Sequence, residues 1–325
     1  QYKLQDEILK LAKKYKIDVT FFHGRGGSAG RGGGPIQATL KSQPPNSVNG
    51  KIRITDQGEV IQQKYGYEPL AKYNLCSYIG AVVQATLNPP PEPDTKWIRL
   101  IEEMSETSMK SYRSNINEKS DFIRYFRTVT PHKALGKLSI GSRPSKRKNI
   151  DNIKSLRAIP WVFAWTQIRL FLPAWLGTTE ALNYASSKPF KKTLIEMEKK
   201  WPFFNSTMDI LDMVISKVDP EISRVYENQL ADKKLKIVGK KLRLQFESLK
   251  RLNKLITPIQ IRKQRKKFRT SVIIRNIYSE VLHITQSIVM KKLSSKKLNK
   301  NQKQYLNDAL MTSIAGISAA MKNTG

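Results

Sequence analysis

Phe21-Phe22-His23-Gly24-Arg25-Gly26-Gly27-Ser28-Ala29-Gly30-Arg31-Gly32-Gly33-Gly34-Pro35 gathers seven of the chain's 17 glycines and two arginines behind the β-prone run Ile17 to Phe22. Upstream, Leu4, Ile8, Leu11 and Tyr15 recur at helical spacing and predict a helix from about Leu4 to Tyr15. Helix, strand and Gly-rich loop in succession is the grammar of an α/β fold, where loops at the C-terminal ends of strands carry the site. Pro35 suits the first turn of a further helix, Ile36 to Leu40, whose N-terminal partial charge would aim at the loop. Glycine lets backbone N–H groups approach a ligand closely, and arginine offers a planar fork that fits phosphate and carboxylate. The stretch therefore reads as an anion cradle.

Outward from the loop, a β-prone piece at Lys51 to Thr55 leads into helical sequence, and after the Pro89 to Pro93 linker Asp94 reads as a helix N-cap. That helix should bury Trp97, Ile101 and Met104. Leu138-Ser139-Ile140 and Ile159 to Trp165 are the remaining strand candidates. Beyond Leu182 helices dominate, with one stripe at Phe204, Met208, Leu211 and Ile215 and a last one at Leu306, Leu310, Ile314, Ile317 and Met321. Arg262 to Arg269 and Lys291 to Lys303 are the densest basic runs, and the second is polar enough to be a flexible loop.

At 325 residues and 39% hydrophobic content, the chain can bury a core in one large domain or two. A formal net charge of +32 and a pI near 10.1 raise nucleic acid or an anionic membrane as partner. Lysines scattered among many Asn and Ile residues equally fit a drift in composition. Cys76 is the only cysteine, which excludes a disulfide framework and a Cys metal cluster and fits a reducing cytoplasm. The most apolar stretch, Trp161 to Gly177, is interrupted by Gln167, Arg169 and Pro173, so it reads as core rather than a membrane span. Residue 1 opens directly in an amphipathic pattern, as though the chain were entered partway.

Lookalikes of the loop fail on spacing. A dinucleotide fingerprint needs Gly-x-Gly-x-x-Gly, and a P-loop needs Lys followed by Ser or Thr after its last glycine; neither is present. RNA-binding Arg-Gly-Gly tracts are long, whereas this one is short and clamped between strand and helix; a purely structural turn is the remaining alternative, though a turn does not need two arginines. A second region, Gly141-Ser142-Arg143-Pro144-Ser145-Lys146-Arg147-Lys148 followed by Ser155-Leu156-Arg157-Ala158-Ile159-Pro160-Trp161, puts Arg157 in front of an apolar run. An arginine entering a core is usually paired or bound to an anion; the Lys146-Arg147-Lys148 triplet by itself reads as a solvated charge run or a nucleic-acid patch. No carboxylate pair, His/Asp/Glu metal cluster or nucleophile elbow stands out, and His132 and His283 read as surface or packing histidines. The residues alone lead to an α/β enzyme piece in which four arginines converge on a multiply anionic ligand.

The wording of these motifs, together with Val162-Phe163-Ala164-Trp165-Thr166-Gln167, Leu172-Pro173-Ala174-Trp175-Leu176-Gly177, Trp201-Pro202-Phe203-Phe204 and Asn323-Thr324-Gly325, closely resembles the bacterial phosphoenolpyruvate carboxylase family, in order from residue 1 to 325. The resemblance implies the C-terminal part of a (β/α)8 TIM-type barrel with many additional helices, predominantly helical, in a cytoplasmic homotetramer. Residues 1–180 would hold strands and loops of the catalytic barrel, and residues 181–325 a helical region with an effector site. It implies anaplerotic carboxylation of phosphoenolpyruvate with bicarbonate to oxaloacetate and phosphate, through carboxyphosphate and pyruvate enolate, with Mg2+ or Mn2+. His23, Arg25, Arg31, Arg143 and Arg157 match the catalytic positions, and Gly24, Gly26, Gly27, Gly30, Gly32 and Gly33 the anion-binding loop. Arg31, Lys217, Arg275 and Asn323 match the pocket where aspartate or malate inhibits.

Two departures accompany the resemblance. The family's metal ligands and several catalytic groups fall upstream of Gln1, so the chain is expected to be inactive alone. Asp151-Asn152 stands where the family often has Gly-Gly, between Arg143 and Arg157. The alternative from another class is a basic nucleic-acid-binding or scaffold protein derived from this family, supported by the charge alone.

Overall fold

The computed structural model describes residues 1–24, 36–56, 58–116, 121–135, 158–257, 266–295 and 297–321. Two strands and many helices are found there, so the chain is predominantly helical. It divides into two compact units interleaved in sequence: Gln1–Glu102 with Lys188–Ile210, and Glu103–Ser187 with Leu211–Gly325. Residue 180, the functional division expected from the resemblance, lies inside a helix of the second unit.

The first unit opens with α1 (Tyr2–Lys14), followed by strand β1 (Phe22–Gly24), α2 (Ile36–Lys41), β2 (Arg53–Thr55), α3 (Gly58–Tyr65) and α4 (Glu68–Leu87). β1 and β2 pair in parallel, with Phe22 opposite Arg53, His23 opposite Ile54 and Gly24 opposite Thr55. Parallel strands need a crossover, and α2 lies within it. Helices α2 and α3 both pack on α4, and α2, the loop after it and α4 close a small core of Leu40, Val48, Ala81 and Ala85. A polar latch joins α3 to α4: Lys64 pairs with Asp56 at 2.8 Å and donates to the Tyr78 hydroxyl at 3.2 Å, while Asn74 donates to the Lys64 carbonyl at 2.9 Å. A ring cluster of Tyr2, Trp97, Trp201 and Phe203 ties α1 to α5 (Thr95–Asn115) and to the residues behind α10 (Lys188–Lys200). Asp94 caps α5 as expected, accepting from the Lys96 amide at 2.9 Å; Trp97 is buried, Ile101 is half-buried, and Met104, in the part of the helix from Glu103 that belongs to the second unit, is buried.

The second unit adds α6 (Asp121–Val129), α7 (His132–Leu135), α8 (Ala158–Gln167), α9 (Thr178–Ala185), α11 (Pro202–Lys217, whose first turns belong to the first unit), α12 (Pro220–Leu230), α13 (Lys233–Ile256), α14 (Lys266–Leu293) and α15 (Lys300–Met321). Ile159 to Trp165, expected as a strand, is helical. A continuous apolar run has no periodicity to separate a buried strand from a buried helix; here Trp161 and Trp165, one turn apart, pack against Phe122 and Phe126 of α6. The Leu138 candidate lies outside the described residues. Lys291 to Lys303 is not a loop throughout, since α14 runs to Leu293 and α15 resumes at Lys300. Its lysines are compatible with helix ends and need no apolar partner.

Close approaches fix this unit. Gly177 has φ +88 and lies against the Ser108 carbonyl, so a side chain there would be strained in conformation as well as in space. Glu227 is buried, pairs with Arg243 and accepts from the Tyr125 hydroxyl at 2.8 Å; a Cβ on Gly239 of α13 would overlap its carboxylate. Most of both helical stripes read from sequence is buried: Phe204 and Met208 in the first unit, and Leu211, Leu310, Ile314, Ile317 and Met321 in this one, with Ile215 and Leu306 half-buried.

Candidate active site and effector site

His23 and Gly24 end β1 at its C-terminal edge, and α2 begins at Ile36, so strand end and helix start bracket the Gly-rich segment as the sequence predicts. His23 is half-buried beside Ile54, and the Arg53 guanidinium stands 6.0 Å from the Phe22 ring centre. Arg25, Arg31, Gly26, Gly27, Gly30, Gly32, Gly33, Arg143, Arg157 and Asn323 lie outside the described residues. Arg157 directly precedes α8 in sequence, so a helix rather than a strand follows it. Among the described residues, no group of three or more His, Cys, Asp or Glu side chains is arranged to hold a metal ion.

Two of the expected effector residues converge in the second unit. Lys217 ends α11 and is buried; its Nζ donates to the Met321 carbonyl at 3.1 Å. Arg275 of α14 donates from Nη1 to the Ala320 carbonyl at 2.7 Å. Both cations thus meet the last carbonyls of α15, where the helix dipole is negative and its carbonyls lack intrahelical partners. Partial burial lowers the Arg275 pKa. Asn323 follows two residues later in sequence. A carboxylate ligand arriving here would find two cationic donors on different helices.

Arg169 lies behind them. It is 1% exposed, and its Nε donates to the Lys217 carbonyl at 2.8 Å while Nη1 donates to Asn276 Oδ1 at 3.0 Å. Burial lowers its pKa, against the opposing pull of Asp219 and Glu280. In sequence Arg169 registers as a charge interrupting an apolar run, a signal sufficient to exclude a membrane span but silent about partners.

Beside it runs a chain of buried amides and hydroxyls. Tyr226 donates to Gln286 Oε1 at 2.7 Å, so its oxygen must accept from His283 Nδ1 at 3.2 Å. Gln286 Nε2 donates to Gln167 Oε1 at 3.0 Å and to Ser313 at 3.2 Å, and Gln167 Nε2 donates to Ser318 at 3.1 Å. The donors run from α14 to α12, back to α14, and on to α8 and α15. His283 is a packing histidine, as expected; burial, reinforced by the Arg169 charge, depresses its pKa to about 3 and keeps it neutral.

A family model described as phosphoenolpyruvate carboxylase matches residues 1–325. A protein of that name from Acinetobacter baumannii is 45% identical over 335 residues, covering 100% of this chain and 37% of its own length. Those of Hahella chejuensis and Escherichia coli are 43% and 42% identical, again over 100% of this chain and 37% of theirs. The chain therefore spans little more than a third of the length of these curated relatives.

Proposed function

Because this chain belongs to the phosphoenolpyruvate carboxylase family, we propose that the full-length protein carboxylates phosphoenolpyruvate with bicarbonate to give oxaloacetate and phosphate. The family match across all 325 residues carries this reading, and the intact motif from Phe22 to Pro35 supports it. A bicarbonate oxygen attacks the phosphorus, forming carboxyphosphate and releasing pyruvate enolate. Carboxyphosphate then yields carbon dioxide and phosphate, and the enolate carbon attacks the carbon dioxide. Every charged species is an anion, so the catalytic demand is for fixed cationic donors and exclusion of water. Arg25 and Arg31 on the Gly-rich loop, with His23 at its root, fit that role, as do Arg143 and Arg157 toward phosphate and carboxyphosphate.

The same reading makes the chain the C-terminal part of a TIM-type barrel with added helices, within a cytoplasmic homotetramer, and inactive without the rest of the protein. No helix among the described residues is long and apolar enough to cross a membrane. The ligands of Mg2+ or Mn2+ are expected upstream of Gln1, and among the described residues no group of three or more His, Cys, Asp or Glu is arranged to hold such an ion. Aspartate or malate is the proposed inhibitor, held by Lys217, Arg275, Asn323 and Arg31. Sharing Arg31 between both sites gives a mechanism, since an inhibitor that engages it withdraws it from catalysis.

The test is oxaloacetate formation by the full-length protein from phosphoenolpyruvate and bicarbonate. Arg31→Ala should abolish turnover by roughly two orders of magnitude or more and remove L-aspartate inhibition of the residual rate. Retained inhibition at the wild-type concentration would disprove the shared arginine.

A further inference from the structure

We propose that Arg169 is the positioning residue of the effector site, a buried guanidinium that orients Lys217 and Arg275 before any ligand arrives. This rests on the effector reading above. Arg169 grips the turn between α11 and α12 twice: its Nε holds the Lys217 carbonyl at 2.8 Å, and its own carbonyl accepts the Asp219 amide at 2.9 Å. Its Nη1 reaches Asn276 at 3.0 Å, the residue adjoining Arg275 in α14. One side chain therefore fixes the backbone of the first cation and the neighbour of the second.

Stability does not account for this arrangement. Both hydrogen-bond acceptors are neutral, Asp219 and Glu280 act on the charge only from a distance, and burial still outweighs them, so a guanidinium 1% exposed is costly against a hydrocarbon of equal volume. The backbone is also strained, since Arg169 has φ +58 and Phe171 φ +47, a region that non-glycine residues enter only where the surroundings force it. Leucine or methionine could fill the space, but neither could span two acceptors on different helices. Lysine would keep the charge yet lose the fork that reaches both.

The consequence is preorganisation. A dicarboxylate gains from two cations only if both are already aimed, because ordering long side chains during binding subtracts from affinity. Arg169 supplies that order from beneath, and its own buried charge adds positive potential to the place where the carboxylates arrive.

The test uses the full-length protein with L-aspartate as probe. Half-inhibiting concentrations are measured against each variant's own uninhibited rate, with the melting temperature alongside. Arg169→Lys and Asn276→Ala should each raise the half-inhibiting concentration by about fivefold or more, equivalent to the loss of one good polar contact. Lys217→Ala, which removes a cation itself, should abolish inhibition. A merely structural Arg169 would lower the melting temperature and leave the half-inhibiting concentration within twofold of wild type in both variants; that result, with Lys217→Ala still insensitive, overturns the positioning role alone. Inhibition that survives Lys217→Ala, or a wild type that aspartate does not inhibit, overturns the effector site and the positioning role together. Should Arg169→Lys fail to fold, Asn276→Ala decides by the same criterion.

Discussion

His283 shows how one buried side chain writes a pH dependence into the fold. Its folded pKa of about 3 lies below the ordinary value of 6.5, so the unfolded chain binds the proton more readily than the folded one. The corresponding stability is fully present above pH 6.5 and is lost as pH falls toward 3, at up to about 1.4 kcal/mol per pH unit. His283→Gln keeps a donor for the Tyr226 oxygen but cannot take the proton. The variant's melting temperature should therefore fall less than the wild type's between pH 7 and 4. Parallel curves would mean that His283 contributes nothing to the acid limb. None of this is legible from the residue's place in the sequence, because burial and the Tyr226 contact come from an element 57 residues away.

At the scale of elements, local chemistry is legible and tertiary choice is not. Asp94 is readable as a cap because the capping bond closes within two residues. The same chemistry operates at Asp219, which accepts from the amides of Glu221 and Ile222 at 3.0 and 3.1 Å ahead of Pro220 in the first turn of α12. Asp219→Ala should lower stability by about 1 kcal/mol, seen as a reduced melting temperature, whereas Asp219→Asn should recover most of it. Helix α8 marks the opposite case. Its apolar run fits a strand or a helix equally, and the decision is made by α6 and by Gln167 reaching across to α15. The Gly-rich segment between β1 and α2 is the candidate site that the sequence makes most conspicuous, because Gly and Arg carry their chemistry without a fold. Arg169 is the least, since its acceptors lie 48 and 107 residues downstream.

Across the whole molecule, charge and exposed apolar surface pull in different directions. A net charge of +32 favours polyanions, yet it is spread along many helices rather than gathered on one face of the sequence. At about 150 mM salt, where screening acts over roughly 8 Å, duplex RNA should bind the full-length protein only weakly while oxaloacetate formation persists. Tight binding with a steep salt slope, coupled with no oxaloacetate, would favour the nucleic-acid alternative instead. Apolar stripes also remain exposed on α4 (Leu75, Ile79, Val83, Leu87) and on α14 (Ile273, Ile277, Val281, Ile284), a surface pattern that monomeric proteins seldom keep bare. The end of α15 gives the regulatory reading its thermodynamic form. The carbonyls of Ala320 and Met321 already occupy donors of Arg275 and Lys217, so they act as a tethered resident guest. An incoming carboxylate that claims those donors has to evict its host's own backbone. On the effector reading proposed above, its apparent affinity would be reduced by the local concentration of that tether, and sensitivity would be tuned by how firmly the last helical turn is wound.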